Sequence, residues 1–339
     1  MLLNKIQVRM LRLAVTLRVG FRRAKVQIFG KWLYRRVLID AKPCHENCDK
    51  DLPREIEILS PFWGARFALM FVDTCLPSVL QSGIDQLCLK VPTRLTIYCP
   101  PSDWQEIKNE VVKRVGNLPI DVKWFSLDSS DEDKKSNLIS FVRLRVQAAI
   151  GLDRVMVFAF PDHIFGRGLD RIIKNSKSGV FVVCFQIRIS FELAAKLIKS
   201  VIEKNSYSNR DLVRHGLVDF PHPLVQKALE SRFDYLTISK YGDDYLGYFK
   251  EPPPLLMRGA EHLFELGFKK PFFGSFECLD HDIPNLMLKK GMLRAIADSE
   301  SFCWLEHTPE ASYKKMITNN FNLESALYFK NFGVKFTIN

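Results

Sequence analysis

From about residue 54 the chain alternates short apolar runs with longer helical stretches, and proline stops each of three of these runs. The run 55–59 closes in Ser60-Pro61-Phe62-Trp63-Gly64, the run 94–99 in Pro100-Pro101, and the run 154–160 at Pro161. A third strand is expected over 121–127, with helices over 65–80, 104–115 and 134–152 between the strands. Strands that alternate with helices pair in parallel, because each crossover returns the chain to the same end of the sheet. The expected fold class is therefore α/β, a mostly parallel sheet flanked by helices.

The run Arg154-Val155-Met156-Val157-Phe158-Ala159-Phe160 is apolar on both faces, as a central strand covered by helices is. Proline has no amide hydrogen for a ladder, so Pro161 ends the strand and leaves Asp162 free to point out of the sheet. A carboxylate there faces the crevice beyond the strand ends, where ligands of α/β sheets bind. The alternative role for Asp162 is to cap the following turn or helix.

The net charge of +11 suggests nucleic acid until it is located. Residues 1–40 hold ten Lys and Arg against Asp40 alone, while the other 299 residues carry 39 basic and 37 acidic side chains. The basicity belongs to an N-terminal arm, and the rest of the chain shows no nucleic-acid recognition motif. Charges interrupt the arm every few residues, so it has no transmembrane run of roughly 20 apolar residues and no signal-peptide core. Basic residues interleaved with Leu, Val, Phe, Trp and Tyr suit an anionic membrane interface. Packing on the core, oligomerisation and nucleic-acid binding are the alternatives. Eight scattered cysteines read as reduced thiols of a cytoplasmic protein. Cys44-His45-Glu46-Asn47-Cys48 lacks the second ligand pair of a zinc site.

Beyond Asp162 a helix is expected over 169–176, a long strand over 179–189, and a helix over 190–204 capped by Ser190. Its buried stripe is expected to be Leu193, Ala194, Leu197, Ile198 and Val201. Ser208 opens another helix running toward His222-Pro223, and 233–249 has β character with a turn at 241–244. Pro252-Pro253-Pro254 then introduces a less periodic, irregular α+β part. The expected organisation is an arm over 1–50, a core over 51–250 and a C-terminal region over 251–339. That last region concentrates polar groups: Arg258 with His262 on one expected helical face, Asp280-His281-Asp282, and Asp298-Ser299-Glu300. Catalytic groups collect on such irregular chain; helix capping and surface pairing are the duller explanations.

Pro61-Phe62-Trp63-Gly64, Leu76-Pro77-Ser78-Val79-Leu80, Pro161-Asp162 with Gly168 after it, His222-Pro223 and Asp298-Ser299-Glu300 together resemble bacterial glycosyltransferases of GT-A fold, in order and spacing, over residues 54–310. The resemblance implies a nucleotide-sugar donor held by Pro61, Phe62, Trp63 and Gly64, with Asp162 toward the diphosphate and Arg258 contacting phosphate or acceptor. It implies a divalent cation, Mn²⁺ or Mg²⁺, on Asp162. The second carboxylate of an Asp-x-Asp motif is missing, since Phe160 and Ile164 stand at the two flanking places. His281 or Glu300 completes the set, or basic side chains neutralise the diphosphate instead. An inverting reaction needs a general base, for which Asp280 or Asp282 is the first choice and Asp298 or Glu300 the second. The acceptor would be a glycan or lipid-linked sugar at the cytoplasmic face of the membrane. An inactive sugar-nucleotide-binding scaffold is the alternative. No Walker-type phosphate loop and no Gly-x-Ser-x-Gly elbow is present.

Overall fold

The computed structural model describes residues 52–128, 134–149, 152–184, 186–230, 236–241, 244–249, 254–259, 287, 291–296, 298–309 and 332–337. The arm, Asp280, His281 and Asp282 lie outside the described residues.

The central sheet has seven strands in the order β11-β6-β10-β4-β1-β2-β3. These are β1 Glu55–Pro61, β2 Thr93–Cys99, β3 Ile120–Ser126, β4 Arg154–Phe158, β6 Phe181–Cys184, β10 Pro254–Arg258 and β11 Leu293–Ile296. All run parallel except β10, which is antiparallel to both β4 and β6. The first four strands are the alternating ones of the sequence, and each parallel step carries a crossover helix: α1 Ala65–Leu87, α2 Pro101–Val115 and α3 Lys134–Ala149.

Both faces of the sheet are covered, which is why β4 is apolar throughout. Val155 and Val157 pack toward α1 and α2 with Phe71, Leu76, Val79, Ile107 and Val111. Met156 and Phe158 face the other way, toward Val142, Val146 and Ala149 of α3. Helix α1 is long and apolar enough to cross a membrane, but 72% of that stretch is buried inside the protein, so it is a core helix. A charged cluster sits within the α3 face. Glu57, with no exposed surface, accepts from Thr96 Oγ1 at 2.7 Å, Arg145 Nε at 2.7 Å and Arg154 Nη1 at 3.1 Å. A buried carboxylate is tolerable only when its oxygens are satisfied in this way.

A second sheet, β5-β12-β7, joins β5 His163–Phe165, β12 Trp304–Thr308 and β7 Gln186–Ser190. The strand expected over 179–189 is in fact two: β6 ends at Cys184 in the central sheet and β7 starts at Gln186 in this one. Helix α4, Leu169–Lys174, precedes them, and α5 Phe191–Glu203 and α6 Asn209–Arg214 pack on the second sheet through Ala194, Ile198, Leu212 and Val213. The stripe on α5 is Ala194, Ile198 and Ile202, whereas Leu193 is 60% and Leu197 39% exposed. Ser208 caps α6 with a full capping box, and Pro223 is the first residue of α7, Pro223–Glu230. A third, antiparallel sheet contains β8 Leu236–Tyr241, β9 Asp244–Phe249 and β13 Phe332–Phe336. The division expected at residue 250 does not hold for the sheets, because β10, β11 and β12 complete the two built by residues 55–190.

Candidate functional site

The order of strands reverses at β1, which has β2 on one side and β4 on the other. In open α/β sheets ligands bind beyond the carboxyl ends of the strands that flank such a point, here β1 and β4. Two segments singled out in the sequence end there: Pro61-Phe62-Trp63-Gly64 after β1, and Pro161-Asp162 after β4.

After β1, Gly64 adopts a φ of +95°, a conformation that favours glycine, and turns the chain into α1. Its amide donates to Asp103 Oδ2 at 2.5 Å, which ties this turn to the first turn of α2. The first turn of α1 holds no acidic residue of its own, and the carboxylate that faces this helix end is that of Asp103 on the Gly64 amide. Arg66, exposed in that turn, lies with its guanidinium 4.0 Å from the centre of the Phe191 ring at the start of α5.

After β4, the amide of His163 donates to Phe160 O at 3.0 Å and closes the turn that displays Asp162. The amide of His307 donates to Asp162 O at 2.8 Å, docking β12 on this turn. Across the ladders Glu306 lies opposite His163 of β5 and opposite Arg188 of β7, and directly paired residues share a face. Glu306 accepts from Arg188 Nε at 3.2 Å and from Thr308 Oγ1 at 3.0 Å. Asp162 retains 25% of its side-chain surface, and its Oδ1 lies 3.8 Å from His163 Nε2, too far for a hydrogen bond.

Charge and burial set the protonation of these groups. Burial first, then the Glu306 carboxylate, raise the Asp162 carboxyl to about 7, against the opposing influence of its backbone hydrogen bond, Arg188 and Arg66. Burial lowers His163 and His307 to about 4 each, so both are neutral imidazoles at physiological pH. The Nδ1 atoms of His163 and His307 and the Nε1 of Trp304 are buried without hydrogen-bond partners. Cys75 of α1 donates to Phe160 O at 3.1 Å, and its thiol is pushed up by burial and by Asp162. Cys75, Cys88, Cys99, Cys184 and Cys303 are all buried.

Other expected site residues lie elsewhere or are engaged. Phe62 is buried against Phe71, with ring centres 5.4 Å apart, so its side chain belongs to the core and only Trp63 and Gly64 of that turn are exposed. Pro61 is the last, buried residue of β1. Arg258 stands on a strand rather than a helix, at the opposite end of the sheet. It pairs with Asp153 just before β4, at 2.7 Å and 3.0 Å, and donates to Ser176 O at 2.7 Å. It is therefore a buried structural arginine rather than a phosphate contact. Asp298 caps its own turn, accepting from Ser301 N at 3.0 Å and Ser301 Oγ at 2.7 Å. Glu300 is half exposed and pairs with Arg210 of α6.

The groups the sequence reading passed over are Arg66, Arg188, Glu306 and His307. The available signal was Glu306-His307 inside the otherwise apolar run 302–308.

Among the described residues no three His, Cys, Asp or Glu side chains converge as a metal site. A cation cage built by these side chains alone does not fit; the positive charge present near Asp162 comes from Arg66 and Arg188.

No family model matches the chain. No curated protein matches it either. Similar solved structures include GalNAc-T7 with UDP, GalNAc and Mn²⁺, at 12% identity and a TM-score of 0.40, covering 77% of this chain and 44% of that one. The mannosyltransferase PcManGT from Pyrobaculum calidifontis with GDP-Man and Mn²⁺ is similar at 12% identity and a TM-score of 0.33, covering 48% and 43%. The inositol-1-phosphate CTP transferase from T. maritima is similar at 12% identity and a TM-score of 0.39, covering 83% and 98%. The chain thus spans less than half the length of the first two. At these scores the likeness carries no argument about activity, which rests on the chain's own residues.

Proposed function

We propose that the chain is a nucleotide-sugar-dependent glycosyltransferase whose donor lies across the carboxyl ends of β1 and β4. The observation that carries this reading is the convergence, at the switch point of the sheet, of the Arg66 cation and the Asp162 carboxylate. The start of α1 suits a diphosphate through the exposed cationic side chain of Arg66. Trp63, 36% exposed beside it, offers a surface for the base. Asp162 faces the reacting sugar.

The reaction is attack by an acceptor hydroxyl oxygen on the anomeric carbon, with cleavage of the bond to the diphosphate. The hydroxyl proton must go to a base as that bond forms. Asp162, raised to about 7, has the affinity for a proton that this step asks of a carboxylate. Asp280 and Asp282, outside the described residues, remain the other candidates. Arg66 stabilises the leaving diphosphate as its charge develops. The acceptor is a glycan or lipid-linked sugar, and the basic arm brings the enzyme to an anionic membrane on the cytoplasmic side. A second reading is sugar-nucleotide binding without turnover, since Phe160 and Ile164 stand where an Asp-x-Asp motif would have its second carboxylate.

A thermal-shift screen of the full chain against UDP-, GDP-, CMP- and dTDP-sugars tests the donor site, each with EDTA, Mg²⁺ or Mn²⁺. One nucleotide class should raise Tm, since a ligand bound only by the folded state stabilises it. Asp162→Asn should keep that binding and lose at least about a hundredfold in transfer rate. No shift with any nucleotide removes the glycosyltransferase reading; a shift with no transfer to any acceptor sustains the binding-protein reading.

A further inference from the structure

The carboxylate missing from the sequence around Asp162 is supplied in space by β12. Glu306 reaches the Asp162 turn because the His307 amide is bound to Asp162 O, and it faces Arg188 across the β7/β12 ladder. Arg188 and Thr308 hold its two oxygens at 3.2 Å and 3.0 Å, so its position is fixed before any ligand arrives. The side chains of Glu306 and Arg188 keep 15% and 22% of their surface, largely withdrawn from water yet reachable. His163, paired with Glu306 and on the same face, is 6% exposed and its Nδ1 has no partner.

The signs of the charges decide what this face takes. Asp162 and Glu306 interact as like charges, and two carboxylates together repel a phosphate. Both accept from neutral hydroxyls. A carboxylate locked against a guanidinium presents acceptor and donor edges side by side, which match neighbouring hydroxyls of a sugar ring. The anion therefore belongs beside Arg66 at the start of α1 and the polyhydroxyl group on β12 and β7. We infer that Glu306 and Arg188 form the subsite that reads the hydroxyls of the donor's sugar beside Asp162, an inference that rests on the proposed donor site. The two residues are specificity determinants rather than groups that move a proton. A site built to hydrogen-bond a hydroxyl rejects the analogue lacking it far more strongly than an apolar pocket rejects a missing methylene.

The test is calorimetric titration of the full chain with UDP and GDP alone, then with UDP-glucose, UDP-N-acetylglucosamine and GDP-mannose. The same titrations are run on Glu306→Gln and Glu306→Asp. In the unmodified protein one sugar nucleotide should bind more tightly than its own nucleoside diphosphate. In Glu306→Gln the ratio of those two affinities should fall by roughly tenfold or more, the loss expected of a hydrogen bond to a charged group. Glu306→Asp keeps the charge but withdraws it by one methylene, so it should lose part of the ratio. It also answers the question if the Gln variant does not fold. A ratio unchanged in a folded variant overturns the subsite and leaves the donor site standing. Failure of the unmodified protein to bind any diphosphate or sugar nucleotide overturns both.

Discussion

Asp162 is held between opposing influences, and pH separates them. Its carboxyl is raised in the folded protein by burial and by Glu306 to about 7, against about 3.9 for an unperturbed aspartate. The folded state then binds more protons than the unfolded one between those values, so stability falls as pH rises through that window. Asp162→Asn cannot titrate and escapes this loss. The Tm of the variant relative to the unmodified protein should climb by a few degrees or more between pH 5 and pH 8.5, measured in EDTA. A gap that stays constant with pH would place Asp162 in an environment that leaves it unperturbed. This residue was legible in the sequence because proline and strand length fix where β4 ends. Glu306 was not, because its neighbours are chosen by the register of β12 against β5 and β7, which is set 144 residues further along the chain. Arg258 misled for the same reason: sequence shows an arginine near polar groups but not at which end of the sheet it lies.

Helix α5 marks the limit of periodicity as a guide. Positions 193, 194, 197, 198 and 201 form a plausible wide stripe, but the buried line is Ala194, Ile198 and Ile202, with Val201 packed partly buried beside it. The burial pattern can be checked directly by denaturant unfolding. Ile198→Ala should cost about 2–5 kcal/mol, as a cavity-forming change in a core does. Leu193→Ala, at 60% exposure, should stay within about 0.5 kcal/mol. The link between β5 and α4 is a tighter constraint. Gly168 has a φ of +101°, and an added Cβ would come within 2.5 Å of the Ser301 carbonyl oxygen. Gly168→Ala should therefore destabilise by about 1–3 kcal/mol and loosen the chain just after the Asp162 turn, with donor-induced Tm shifts reduced in parallel. A helix start was legible where chemistry declares it, as at Ser208, whereas the separate helix that starts at Pro223 was not foreseen. The break between β6 and β7 was not, since an unbroken β-rich run carries no mark of a change of sheet.

At the scale of the molecule, the first four strands and their helices could be read from sequence because each is local. The remainder of the central sheet could not, because β10 and β11 enter from 96 and 135 residues beyond the end of β4. The separation of charge was legible as well, and it yields a test of the arm. Flotation with phosphatidylserine vesicles should carry the full chain at low salt. Replacing Arg22, Arg23, Arg35 and Arg36 with Glu should abolish this, since each contributes about 1 kcal/mol near an anionic surface. Flotation by the variant equal to that of the unmodified chain would assign the arm another role. The late arrival of β10, β11 and β12 also has a consequence for biosynthesis. A growing chain emerging from the ribosome can assemble β1 to β4, but β4 and β6 both keep an unpaired edge until β10 inserts between them. Neither Glu306 nor the docking of β12 on Asp162 exists until residue 307 has been made. Any prematurely released product is therefore not a weaker version of the protein but an adhesive one, with exposed strand edges and no assembled site, and its disposal falls to chaperones and proteases.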